Sequence, residues 1–288
     1  MIDALDDHTG TVSIGGRTIT NLRFADDIDG LAGKEEELAS LVKQLDETSS
    51  RYGMEISAEK TKLMTNSARP ITTKITVSGK ELETVEQFKY LGAIISEEGS
   101  KTEILARTAQ TSTAMARLKI IWKDKNISLK TKVKLLRALV SSIMLYACET
   151  WTLNADLQRR IQAVEMRCLR RLLGISYRDR ITNLEVRRRV SQGVRQYEDL
   201  LTIVKQRKLR WYGHVTRSNG LAKTILQGTV QGKRRKGRQK KKWADNITEW
   251  TGESFAATQE IAHNRTRWRE LVHRVVQRPY DPGRLRDQ

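Results

Sequence analysis

Cysteine is nearly absent from this 288-residue chain: only Cys148 and Cys168 occur. Two cysteines at that spacing make neither a disulfide framework nor a paired zinc-ligand pattern. A reducing, intracellular setting is therefore the default. Long apolar runs are also missing. None approaches the roughly 18 residues that a membrane-spanning helix needs. The first residues, Met1 to Asp7, are acidic and lack a signal-peptide pattern. Nor does any segment pair a basic face with an aromatic-rich apolar one, which argues against a membrane surface as partner. Hydrophobic residues make up 38% of the chain, enough for a core but on the low side.

Negative charge is scarce in only part of the chain. Residues 1–100 hold 11 Lys/Arg against 18 Asp/Glu, a net −7, and residues 101–288 hold 42 against 16, a net +26. An acidic first part thus precedes a strongly basic remainder. A basic surface of that size points to a polyanion, most simply nucleic acid.

In the acidic part, Val12 and Ile14 alternate, Gly15-Gly16 follows, and Ile19, Leu22 and Phe24 continue the pattern. Two glycines between alternating runs predict a hairpin turn. Leu22 and Phe24 carry the period of a half-buried strand, then come Asp26 and Asp27, then an apolar run from Ile28 to Leu31. Adjacent carboxylates at a turn have two readings. Asp favours solvated turns. Two such groups also repel each other unless a divalent cation lies between them. Glu35, Glu36 and Glu37 open a helix at its favourable end for negative charge. Its stripe is Leu38, Leu41, Val42, Leu45 and Tyr52, and Gly53 stops it. A short strand, a polar turn containing Lys60, and a strand at Leu63-Met64 follow. Ile75 and Val77 lead through Ser78-Gly79 to Leu82 and Val85. Then comes Phe88-Lys89-Tyr90-Leu91-Gly92, where a residue without a side chain permits close backbone approach.

The basic part predicts three clear helices. The first spans about residues 102–122, with Ile104, Leu105, Met115, Leu118 and Trp122 as core. The second spans about 129–147 on Val133, Leu136, Val140, Ile143 and Ala147. The third runs from the N-cap Asn154 to Gly174 on Leu157, Ile161, Val164, Cys168 and Leu172. Cys168 within that stripe reads as a core thiol. The opposite face carries Arg159, Arg160, Arg167, Arg170 and Arg171. An excess of one sign without matching carboxylates favours phosphate contact over plain solvation. Further on, Lys233, Arg234, Arg235, Lys236, Arg238, Lys240, Lys241 and Lys242 crowd the ten residues before Trp243. Such a run is a solvated linker with no dedicated role, or tracks a nucleic-acid backbone with Trp243 available to stack on a base, or serves as a nuclear-localisation patch. A last helix is expected near residues 256–276, followed by a disordered tail after Pro279. His214 has no paired-ligand spacing with the cysteines and reads as structural.

Phe24-Ala25-Asp26-Asp27 resembles the Tyr/Phe-Ala-Asp-Asp signature of reverse transcriptases. The segments around Gly53 to Lys62 and Phe88 to Gly92 resemble the motifs that follow it in that family. So do residues 151–175 and Arg207 to Val215, most specifically in non-long-terminal-repeat (LINE-type) retrotransposons. The resemblance implies an RNA-directed DNA polymerase in which Asp26 and Asp27 bind Mg²⁺. It puts Lys60 near the leaving pyrophosphate and makes Phe88, Tyr90, Leu91 and Gly92 a primer grip. The implied partners are an RNA template and DNA primer, or duplex nucleic acid. The family's palm needs a further aspartate from an upstream strand, and a strand, helix and linkers take about 30 residues. Only 25 residues precede Asp26. A fragment inactive alone is expected, completed by a chain supplying the missing palm and fingers, or else a non-catalytic nucleic-acid-binding descendant. The expected fold class is α+β. A partial palm occupies 1–99, thumb-like helices 100–150, a basic helical region 151–220, and a basic linker with terminal helix 221–288.

Overall fold

The computed structural model describes residues 10–66, 71–194, 197–229 and 239–277. The fold is α+β, with small sheets in the first part and helices in the remainder. The chain forms two compact units, each discontinuous. One comprises residues 1–90 and 218–239, the other 91–217 and 240–288. The expected segments 100–150 and 151–220 thus fall almost wholly within one unit, and 221–288 is divided.

In the first unit, β1 (Ser13–Ile14) and β2 (Arg17–Thr18) pair antiparallel across Gly15-Gly16. Both glycines have positive φ, 59° and 78°, as the two-residue hairpin turn demands. β3 (Asn21–Phe24) and β4 (Asp27–Gly30) form a second hairpin with Phe24 opposite Asp27. Helix α1 (Glu35–Arg51) follows and packs on β4 and β6. Its Leu41 and Leu45 are buried, but Tyr52 lies past the helix end and is exposed. Gly53, φ 68°, turns the chain away. The carboxylates of α1 do local work. Glu35 accepts the amides of Thr72 and Thr73, and Asp46 accepts that of Ser78. β5 (Lys62–Leu63) pairs parallel with β8 (Glu83–Thr84), and β6 (Thr76–Val77) pairs antiparallel with β7 (Lys80–Glu81). Leu63, Ile75, Val77 and Leu82 form the core beneath them. β9 (Gln87–Tyr90) ends the first segment of this unit.

The second unit opens with β10 (Ala93–Ser96) and α2 (Ser100–Arg117), then α3 (Lys119–Lys123). α2 buries Glu103, Ile104, Arg107, Thr111 and Met115 along one stripe. Leu105, expected in the core, is exposed, because this polar-centred stripe takes the inward face instead. α4 (Leu129–Leu135) runs into a π-helical segment, Leu136–Ser141, and a last turn, Ser142–Met144. The wider π turn carries one extra residue per hydrogen-bonded loop. The stripe therefore passes to Met144, fully buried, rather than Ile143. Ala147, φ 52°, ends the segment.

α5 (Ala155–Leu173) follows its sequence prediction closely. Asn154 accepts the Leu157 amide, Gly174 closes the helix at φ 68°, and all five stripe residues are buried. α6 (Asn183–Gly193) packs on α5. α7 (Leu200–Arg217) is bordered by α5. α8 (Leu221–Gln227) belongs to the first unit, where the Gly15 amide donates to Thr229 O at 3.1 Å. α9 (Asp245–Thr251), α10 (Phe255–His263) and α11 (Arg265–Gln277) complete the second unit, and α10 and α11 pack on α7. The single helix expected over 256–276 is broken at Asn264, whose side chain accepts the amides of Thr266 and Arg267 and so starts a new helix.

Candidate nucleic-acid site

The Asp pair sits where β3 turns into β4. Ala25 takes φ 53°, Asp26 occupies the turn, and Asp27 begins β4; both carboxylates are exposed. Phe24 is exposed too, so β3 does not bury its alternate face as its period predicts. Asp29 was not foreseen. Two residues along β4, it shares a face with Asp27, and the Tyr90 hydroxyl lies near enough to favour its charged form. Burial raises the Asp29 pKa, the nearby Asp27 charge adds to this, and the Tyr90 hydroxyl opposes it. Burial, then the Asp29 charge, raises Tyr90 as well.

This donor set does not fit the magnesium that the resemblance implies. Mg²⁺ demands a near-ideal octahedral shell. Asp26 and Asp27 offer two exposed carboxylates, and Asp29 is half-buried on β4 near Tyr90. Among the described residues, no three His, Cys, Asp or Glu side chains group closely enough to hold an ion. Lys60 is exposed in the turn before β5, where its amide bonds Ser57 O. Among the described residues, no hydrogen bond or ion pair joins it to the Asp pair.

The Leu91-Gly92 turn is held with more care than its sequence shows. Both residues have positive φ, 46° and 81°. The Tyr146 hydroxyl donates to Leu91 O at 2.6 Å, and the Arg107 guanidinium donates to Gly92 O. Arg107 also bonds Glu103 at 2.6 Å and stacks over the Tyr146 ring at 4.5 Å. Glu103 in turn accepts the Ile94 amide. A Cβ at Gly92 would lie 3.1 Å from the Tyr146 hydroxyl, so the missing side chain makes room for this clamp. Of the sequence-predicted grip residues, Phe88 and Tyr90 are half-buried on β9 and Leu91 is exposed. The sequence signal for Glu103 and Arg107 was their four-residue spacing on a helix.

The arginine face of α5 divides. Arg159 and Arg160 meet Asp156, so the expected lack of matching carboxylates does not hold there. Arg170 donates to Ile181 O and Asn183 Oδ1, fixing the loop before α6. Arg167 and Arg171 are exposed. In the basic run, Lys233, Arg234, Arg235, Lys236 and Arg238 lie outside the described residues. Lys240 approaches Glu97, Lys241 pairs with Glu249, and Lys242 is exposed. Trp243 is not a free platform as expected. Its indole N–H donates to Glu149 O at 2.8 Å, and its ring packs on Trp211 and Tyr212.

That packing explains the segment Arg207 to Val215. Lys208, fully buried, donates to Trp151 O at 2.6 Å and Asn246 Oδ1 at 2.9 Å. Its ammonium lies 4.3 Å from the Trp243 ring centre. Asn246 also exchanges two hydrogen bonds with the Leu153 backbone. The lysine therefore ties three distant stretches together. Burial pushes Lys208 down to about 6, with repulsion from Lys241 adding and Glu249 and Asp245 opposing. From about pH 6 up to the ordinary lysine range, the unfolded chain thus holds a proton that the folded chain releases. Stability contributed by this group should rise with pH across that window. Lys208→Met should lose about 2 kcal/mol, since the buried Trp151 carbonyl is left unpaired. It should also abolish that rise, as denaturant melts at pH 6 and pH 9 would read.

His214 is exposed, whereas the two cysteines are buried and free. Burial pushes the Cys148 thiol to about 12 and the Cys168 thiol to about 11, as core thiols require.

With this geometry in place, residues 2–95 match the family model described as reverse transcriptase (RNA-dependent DNA polymerase). The chain is also similar over most of its length to a putative uncharacterized transposon-derived protein of Caenorhabditis elegans. The two are 29% identical over 273 residues, covering 91% of this chain and 98% of the relative. No solved structure matches. The segment that carries the Asp turn and the Leu91-Gly92 turn is thus a reverse-transcriptase-like sequence, within a chain similar almost throughout to a transposon-derived protein.

Proposed function

We propose that this chain derives from the reverse transcriptase of a non-long-terminal-repeat (LINE-type) retrotransposon, as a C-terminal portion of it. It binds an RNA template with its DNA primer, or duplex nucleic acid, and does not polymerise by itself. The observation that carries this reading is the β3–β4 turn. It presents Asp26 and Asp27 to solvent within the matching segment, yet among the described residues it gathers too few ligands for a two-ion phosphoryl-transfer centre. Polymerisation would need a further carboxylate from another chain carrying palm and fingers. Lys60 near a leaving pyrophosphate, the Phe88 to Gly92 grip and a nuclear location given by the basic run belong to the same proposal.

The test is primer extension on an RNA template with Mg²⁺ or Mn²⁺, beside the Asp26→Asn, Asp27→Asn double variant. The expected result is no extension by either chain, with duplex binding intact in both. Extension by the parent chain that the double variant loses would overturn the inactive reading.

A further inference from the structure

Two cavities on the second unit meet at Ala116 and Arg171. One, of about 250 Å³, lies between α2 and α5. The other, of about 600 Å³, is bounded by the end of α2, α3, the start of α4 and the end of α5. Six cations stand around them: Lys119, Lys123, Lys125 and Lys132 from the α3–α4 side, and Arg167 and Arg171 from α5. No carboxylate lines either cavity.

The charges are also arranged. Lys119 and Lys123 stand one helical turn apart on α3, and Arg167 and Arg171 one turn apart on α5, so each pair shares a face. All four are exposed. Among the described residues, none of the four pairs with a carboxylate. Some exposed cations on this unit do meet a carboxylate, Arg188 and Arg189 at Glu185 and Lys101 at Glu98. Like charges kept together without counter-charge repel one another unless an anion joins them.

The floor excludes bases. Met115, Trp122 and Leu172 are buried there, and the Trp122 indole donates to Met115 O at 3.0 Å. No aromatic face is offered for stacking, and the exposed polar groups are cations suited to phosphate oxygens, arginine in two-pronged fashion.

We propose that this groove holds one phosphodiester strand by its backbone, without reading sequence. The inference rests on the nucleic-acid-binding reading above and places it at α3 and α5 of the second unit.

The experiment measures binding of labelled duplex DNA and single-stranded RNA by fluorescence anisotropy across a salt series. The full chain is compared with Lys119→Gln/Lys123→Gln/Arg167→Gln/Arg171→Gln. A control with equal charge loss is Lys43→Gln/Lys74→Gln/Arg188→Gln/Arg189→Gln, each at a cation already met by a carboxylate. Circular dichroism and thermal melting verify folding. The groove variant should lose at least about tenfold in affinity, and its log–log salt slope should shrink by up to about 3.6, at 0.9 per lost phosphate contact. The control should keep nearly the parent slope, and a scrambled duplex should bind equally well. Groove-variant binding equal to the parent, or an equal loss in the control, overturns the groove and leaves the parent reading standing. A parent chain that binds no nucleic acid overturns both. Tighter binding to phosphatidylserine vesicles, lost in the groove variant, replaces nucleic acid by a membrane surface and also overturns it.

Discussion

Arg107→Met should cost the second unit about 4 kcal/mol of stability. Arg107 and Glu103 are both nearly excluded from water, with side chains 10% and 4% exposed. Removing one member of such a pair leaves the other charge buried without compensation, a loss of about 3–5 kcal/mol. Glu103 would keep only the Ile94 amide at 2.8 Å. The Gly92 carbonyl would lose its donor at the same time. Arg107→Lys should not rescue, because one ammonium cannot reproduce a planar fork that bonds Glu103, Gly92 and Gln110 together. Glu103→Leu/Arg107→Met should be milder than the sum of the two single changes, since neither charge is then stranded. Urea melts of the parent, Arg107→Met, Arg107→Lys, Glu103→Leu and the double variant read this. A loss below about 1 kcal/mol for Arg107→Met would show that the clamp contributes as little as a solvated ion pair.

Gly213→Ala should destabilise by a similar amount, although alanine is the better helix former by about 1 kcal/mol. The built Cβ would lie 2.2 Å from Trp268 Nε1 and 2.3 Å from its Cδ1. Trp268 is buried, and its indole donates to Leu209 O at 3.0 Å, so the ring cannot swing aside without breaking that bond. Overpacking costs about 1–3 kcal/mol, and an orphaned buried donor about as much again. The clash therefore outweighs the propensity gain. Gly213→Ala with Trp268→Leu should recover part of the loss by making space. Thermal melting decides it, and an unchanged Tm in Gly213→Ala would mean that α7 and α11 slide apart freely.

These two sites show where sequence reading succeeds and where it stops. α5 was legible from Asn154 to Gly174 because cap, stripe and stop are all local signals. The hairpins were legible because Gly15-Gly16, Ser78-Gly79 and Leu91-Gly92 announce turns with positive φ. α2 was misread at Leu105 because its inward stripe is centred on Glu103 and Arg107. A buried ion pair cannot be told from a surface one by spacing alone. The π segment left no trace in the pattern, so Met144 displaced Ile143 unseen. Of the site, the Asp turn was legible in position. Tyr90 meeting Asp29 was not, since 61 residues separate them in the chain. Trp243 reads as an exposed stacker because a run of charged residues precedes it, but in the fold its neighbours are Trp211, Tyr212 and Lys208.

The discontinuous build of both units bears on synthesis and truncation. The first unit uses residues 218–239, and there Gly228 lies against Ile14 and Gly15. The second awaits 240–288, where Asn246 meets Leu153 and Lys208. A nascent chain therefore cannot finish the first unit until the long 91–217 segment of the second has been made, and cannot finish the second until after the first unit's 218–239 segment; long-range closures of this kind fold slowly. A stop codon after Arg217 would strip parts from both units at once rather than delete a tail. Protease nicking between 217 and 240 should correspondingly leave fragments that stay associated until denatured.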